Sequence, residues 1–154
     1  MYMGDGGASK KCVDLSKGGD TTNGNKLDLW DCDAPKNQVF SFNSQTSQLI
    51  LQSNNKKCID LYGANSTEGA QLEIWDCIAG SDSQQWVYND QGQYIQFKKN
   101  TNMCVDLAGG EVVNGNKIDV FECSKLTQSG KWKIVPQTQM WSLNNRHQQT
   151  GATL

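Results

Sequence analysis

Residues 26–32 read KLDLWDC, and near copies return as QLEIWDC at 71–77 and KIDVFEC at 117–123. In each copy an apolar–acidic–apolar–aromatic–acidic string ends in cysteine. A second string precedes each: KKCVDL at 10–15, KKCIDL at 56–61 and NMCVDL at 102–107. A third follows: NQVFSF at 37–42, SQQWVY at 83–88 and SGKWKI at 129–134. The first cysteines recur every 46 residues and the second every 45 or 46. Self-similarity at a fixed period marks a repeat architecture and precedes any reading of single elements. CVDL and LDLW alternate as short strands do, with the turn-forming SKGGDTTNGNK between them, and no long stripe of period 3.6 occurs. Asn-Gly-Asn at 23–25 and 114–116 supplies left-handed positions for tight reversals.

The expected fold is therefore all-β, one domain over residues 1–145, with pseudo-threefold repeats over about 1–47, 48–92 and 93–138. QLILQSNN (48–55) and QYIQFKKN (93–100) open repeats two and three, and QMWSLNN (139–145) begins like a fourth. A closed barrel removes exposed strand edges. Residues 139–143 are accordingly expected to close against the N-terminal strand, with 146–154 a tail lacking fixed structure.

Composition narrows the function. Charged residues make up 19% of the 154 and the net charge is −2, which gives no electrostatic case for nucleic acid or an anionic membrane. No apolar run approaches the roughly 20 residues of a membrane span. The six cysteines include no closely spaced pair of the kind that binds zinc, so they are either buried thiols or disulfides. The repeat pattern favours disulfides and hence an oxidising, extracellular setting, with the signal segment absent from this chain. No metal or cofactor is expected.

Strand parity turns the repeat into a site. Successive side chains point to opposite faces. If Val13, Leu15, Leu27 and Leu29 point inward, then Cys12, Asp14, Asp28, Trp30 and Cys32 share the outer face. A bridge between the two cysteines would draw Asp14 toward Trp30. A carboxylate beside an aromatic face suits a sugar, whose C–H patch packs on the ring and whose hydroxyls donate to the carboxylate. Asn37 and Gln38 follow closely enough to add amide donors, or else to orient Asp14. Phe40, Trp86 and Trp132 read as core.

These three landmarks resemble the ricin B-chain-like (R-type) lectins, which include the family 13 carbohydrate-binding modules. The resemblance covers about residues 2–143. It implies a β-trefoil of α, β and γ lobes, each closed by its own disulfide: Cys12–Cys32, Cys58–Cys77 and Cys104–Cys123. It also implies sugar contacts at Asp14, Asp28, Trp30, Asn37 and Gln38 in the first lobe, and at Asp60, Glu73, Trp75, Ser83 and Gln84 in the second. In the third it implies Asp106, Asp119 and Phe121. Ser83 stands where the family has Asn. Ser129 and Gly130 replace the Asn-Gln pair of the third lobe, so the sites rank first over second over third.

The implied ligands are glycans of the galactose or N-acetylgalactosamine type. Xylan is the alternative, within a larger glycoside hydrolase, and avidity would come from a parent polypeptide or an oligomer. A different class of reading is a trefoil with silent sugar sites serving as a protein-interaction or inhibitor scaffold. Enzymatic activity is not expected: the single histidine, His147, lies in the tail, and the carboxylates recur on an open surface without a cleft. Asn65-Ser66-Thr67 is a glycosylation sequon in a turn.

Overall fold

The computed structural model describes residues 2–3, 10–33 and 35–134. Twelve strands occur in the described chain, four to a repeat. The first repeat holds β1 (Tyr2–Met3), β2 (Lys11–Leu15), β3 (Leu27–Asp31) and β4 (Phe40–Asn43). The second holds β5 (Gln48–Leu51), β6 (Lys57–Leu61), β7 (Ala70–Asp76) and β8 (Trp86–Asn89). The third holds β9 (Tyr94–Phe97), β10 (Asn100–Leu107), β11 (Ile118–Glu122) and β12 (Trp132–Lys133).

Neighbouring repeats join by antiparallel pairing of the last strand of one with the first of the next. These pairs are β4 with β5, β8 with β9, and β12 with β1. The ring closes through Tyr2 opposite Lys133 and Met3 opposite Trp132, while β2 pairs with the other edge of β1. The expected closing segment, 139–143, and the expected tail lie outside the described residues. The architecture is the β-trefoil.

Parity is as the sequence requires. Val13, Leu15, Leu27 and Leu29, with Ile59, Leu61, Leu72 and Ile74 and with Val105, Leu107, Ile118 and Val120, meet in one fully buried core. Phe40, Trp86 and Trp132 complete it. Each buried indole must place its N–H, and both find the same equivalent carbonyl. Trp86 donates to the Ile59 carbonyl at 3.2 Å and Trp132 to that of Val105 at 3.0 Å.

A ring of contacts surrounds the pseudo-threefold axis. The turn between the second and third strands of each repeat docks on the third strand of another. Gly24 N–H donates to the Ile74 carbonyl, Gly69 N–H to that of Val120, and Gly115 N–H to that of Leu29, at 2.9, 2.9 and 2.8 Å. All three glycines sit at φ of +82° to +86°, where a Cβ is strongly disfavoured.

The three disulfides close loops with sequence separations of 20, 19 and 19, in the pairing the resemblance implies. Loop-closure entropy makes each worth about 3 kcal/mol. Replacing Cys58 and Cys77 together by serine should therefore lower the unfolding free energy by about 3 kcal/mol in urea denaturation. An unchanged midpoint would refute the disulfide's contribution.

Candidate functional site

The antiparallel register of β2 and β3 sets Asp14 opposite Asp28 and Cys12 opposite Trp30. The disulfide pins the same ends together, so a carboxylate pair and an indole share one short stretch of outer surface. The helical turn Pro35–Gln38 folds back over this stretch. From it, Asn37 Nδ2 and Gln38 Nε2 both donate to Asp14 Oδ1 at 2.8 Å. Gln38 Nε2 also donates to the Asp31 carbonyl at 2.8 Å, tying the turn to the end of β3. Ser16 Oγ donates to Asp28 Oδ2 at 2.6 Å. Asp14, Ser16, Gly18, Asp28, Trp30 and Asn37 line a depression of about 410 Å³.

The outward parity of the aspartate does not make it exposed, which corrects the expectation of an open carboxylate. Asp14 is only 5% accessible, whereas Trp30 is 41% accessible. The covering turn is the reason. Burial pushes the Asp14 carboxyl up to about 6; the Gln38 and Asn37 amides oppose this, and the charges of Asp28 and Asp33 add to it. Asp28 is raised as well by burial, against its bond from Ser16. Gln38 and Gln84 are 1% and 0% accessible, so both hold the aspartate from behind rather than facing solvent.

The second lobe repeats the plan with one substitution. Asp60 lies opposite Glu73 and Cys58 opposite Trp75. Ser83 Oγ and Gln84 Nε2 each donate to Asp60 Oδ2 at 2.9 Å, so the serine fills the role of Asn37. Gln84 Nε2 also donates to the Asp76 carbonyl, while Gln84 Oε1 accepts from Ile78 N–H and from Gln48. Every hydrogen-bonding site of that buried amide is therefore used. Burial raises the Asp60 carboxyl, opposed by these two donors.

The third lobe brings Asp106 opposite Asp119 and Cys104 opposite Phe121. Ser129 bonds to Asp106, but Gly130 offers no amide. Leu126 has taken the vacated volume: a Cβ on Gly130 would stand 2.4 Å from Leu126 Cδ1. Oδ1 of Asp106 and Oδ1 of Asp119 are buried without a partner among the described residues. Burial, reinforced by the charge of Asp106 and opposed by Lys117, pushes the Asp119 carboxyl up to about 7. A depression of about 230 Å³ touches Asp106, Asp119, Phe121, Thr127 and Ser129.

The family model of the ricin-type beta-trefoil lectin domain matches residues 3–132. The chain belongs to this lectin family. Among solved structures, the C-half of an earthworm R-type lectin, in complex with GalNAc, is 16% identical with a TM-score of 0.63. That match covers 77% of this chain and 85% of the other. A non-toxic homologue of type II RIPs from Momordica charantia (bitter gourd), in complex with α-methyl-D-galactoside, is 18% identical with a TM-score of 0.63, covering 81% and 44%. The designed threefold-symmetric protein ThreeFoil is 18% identical with a TM-score of 0.71, covering 83% and 92%. A search of curated protein sequences gives no match. At these identities the structural likeness shows the fold alone, the β-trefoil.

In this lectin domain each site stands at a joint between lobes, which sequence reasoning missed. Asn114, in the third-lobe turn, donates to Asp31 and accepts from Lys11, which is itself paired with Asp31 at 2.6 Å. Asn23, in the first-lobe turn, is likewise bound to Asp76 and Lys57. The turn glycines lie against the indoles: a Cβ on Gly115 would approach Trp30 at 4.0 Å, and one on Gly24 would approach Trp75 at 3.8 Å. At the remaining joint Met103 replaces the lysine, and Lys125 supplies the cation by bridging Glu68 and Glu122. The recurring lysine before the first cysteine, and the acid before the second, were the available signals.

The raised carboxyls fix the sign of a pH effect. For a group whose folded pKa lies above its ordinary value of 3.8, stability is fully present below that value and is lost as pH rises through the folded value. Asp14 and Asp119 therefore weaken the fold between about pH 4 and about pH 7. The lowered carboxyls, Asp31 and Asp76 among them, lose their contributions only below their ordinary range. The melting temperature should be higher at pH 4.5 than at pH 7.5, by roughly a few degrees. Scanning calorimetry across this window checks the sign, and a steady rise toward neutral pH would refute it.

Proposed function

We propose that the chain binds glycans of the galactose or N-acetylgalactosamine type without chemical turnover, and that the first lobe is its principal site. One observation supports this above the others. Two amides converge on a single oxygen of Asp14, orienting the carboxylate beside the exposed Trp30, where it can accept sugar hydroxyls. The indole offers a face for the C–H side of the pyranose. Asn37 and Asp28 line the same depression and add polar contacts at its edge. The galactose-type ligands of the earthworm and Momordica structures favour that sugar class for this chain.

Catalysis is disfavoured by placement. Hydrolysis of a glycoside needs two carboxyl groups flanking the bond, roughly 5–10 Å apart. Asp14 and Asp28 instead stand side by side on adjacent strands, beneath the same face of a bound sugar.

A single stack with a few water-exposed hydrogen bonds gives affinity of roughly millimolar order, and engagement of several lobes by one branched glycan raises it by avidity. Trp30→Ala and Asp14→Ala, singly or together, should abolish first-lobe binding of N-acetylgalactosamine in calorimetric titration while leaving the circular-dichroism spectrum unchanged. Wild-type affinity in the double variant would sink the assignment. Parallel titration with xylo-oligosaccharides separates the sugar classes. Because binding uses ionised Asp14, the first-lobe association constant should fall as pH drops through about 6, opposite to the trend in stability. Affinity that is flat between pH 7.5 and 5 would exclude the carboxylate as an acceptor.

A further inference from the structure

The second lobe differs from the first in one respect that its own repeat does not explain. Lys26, at the end of the first-lobe turn, reaches across the joint and forms an ion pair with Glu73, whose side chain is only 4% accessible. The same ammonium lies 4.7 Å from the ring centroid of Tyr62. Glu73 is the acid opposite Asp60, and Tyr62 opens the short helical turn Tyr62–Ala64 that follows it. Lys26 is therefore held between the acid opposite Asp60, by charge, and the ring of Tyr62, by a cation–π contact.

The equivalent positions of the first lobe show what this depends on. There Asp28 lies opposite Lys117 of the third lobe in the same kind of isolated bridge. Lys117 is exposed, and Asp28 takes its hydrogen bond from Ser16 instead. Asp28 is one methylene shorter than Glu73, and Ser16 stands where the second lobe has Tyr62. Both differences act in one direction: the longer acid reaches the neighbouring lysine, and the aromatic ring gives the lysine stem and ammonium a place to rest.

We propose that Lys26 is a specificity-determining residue of the second lobe, a latch that a neutral sugar must displace before it can stack on Trp75 and use Glu73. This inference rests on the sugar-binding reading above. Glu73 is committed to an ion pair where Asp28 keeps one oxygen without a partner, so the two lobes are unequal although both retain the aspartate, the indole and the glutamine. The cost of displacing a half-buried ion pair lies between those of an exposed and a fully buried one, which corresponds to about tenfold weaker binding at the second lobe.

The test follows the indole N–H resonances of Trp30 and Trp75 by two-dimensional NMR during titration with N-acetylgalactosamine. Three proteins are compared: wild type, Lys26→Met, and the double variant Glu73→Asp with Tyr62→Ser, which copies the first-lobe residues. Lys26→Met leaves a buried carboxylate uncompensated, so the double variant decides the outcome if that protein does not fold. In wild type, Trp75 should titrate at about tenfold higher sugar than Trp30. In the double variant the two midpoints should converge, with that of Trp30 unchanged. Equal midpoints for Trp30 and Trp75 in wild type, or a Trp75 midpoint that the double variant does not lower, would overturn the latch while leaving the sugar-binding reading intact. Silence of both Trp30 and Trp75 in all three proteins would overturn both.

Discussion

The turn of each lobe is hydrogen-bonded to the third strand of another lobe, through a glycine N–H in the left-handed region, and the ring of three such contacts fixes everything outside it. The β2–β3 hairpin and its counterparts would otherwise be two-stranded ribbons, which are marginal by themselves in water. Docked in the ring, each hairpin has its inner face in the common core and its outer face held at a set angle beside a neighbour's turn. The Asn–Lys–Asp clasps at Asp31 and Asp76 reinforce two of the joints, and the Glu68–Lys125–Glu122 bridge takes their place at the third. A sugar site in this fold is thus a property of two adjacent lobes, although its named residues come from one.

Burying a carboxylate is costly unless donors surround it. The helical turn after each second cysteine serves that need and at the same time shapes the site. In the first two lobes it brings a glutamine that binds the aspartate and the carbonyl at the end of the third strand together, so orientation of the acid and closure of the loop are one interaction. Gly130 removes this link in the third lobe. Leu126 fills the space with apolar volume, which cannot donate a hydrogen bond, and among the described residues Asp106 keeps a buried oxygen without a partner, as does Asp119 opposite it. Burial and the charge of Asp106 together push the Asp119 carboxyl up to about 7.

Divergence among the lobes has therefore occurred without loss of the repeat. The aromatic rings and the second-strand aspartates stay in register because the strand pairing and the disulfide dictate where they stand. What varies is the support behind the aspartate, which is two amides, an amide with a hydroxyl, or a hydroxyl alone, and the partner of the acid opposite it. Those choices alter charge state and availability of acceptors while the backbone remains the same.

The threefold repeat and its all-β character were legible in the chain, because each depends on local alternation and on a spacing that recurs, and the disulfide pairing followed from the resemblance those repeats carry. Phe40, Trp86 and Trp132 could be assigned to the core for the same reason. The burial of Asp14 could not, since parity tells only which face a side chain leaves from and not what folds over that face. Nor could the reach of Lys26 to Glu73, or of Asn114 to Asp31, be read from the sequence. Those contacts join residues 47 and 83 positions apart, and they exist only because closure of the ring sets one lobe's turn against another lobe's strand. Alternation and period place the candidate residues on one face of each lobe; folding sets how buried, how charged and how open each one is, because those quantities depend on neighbours that the chain brings together last.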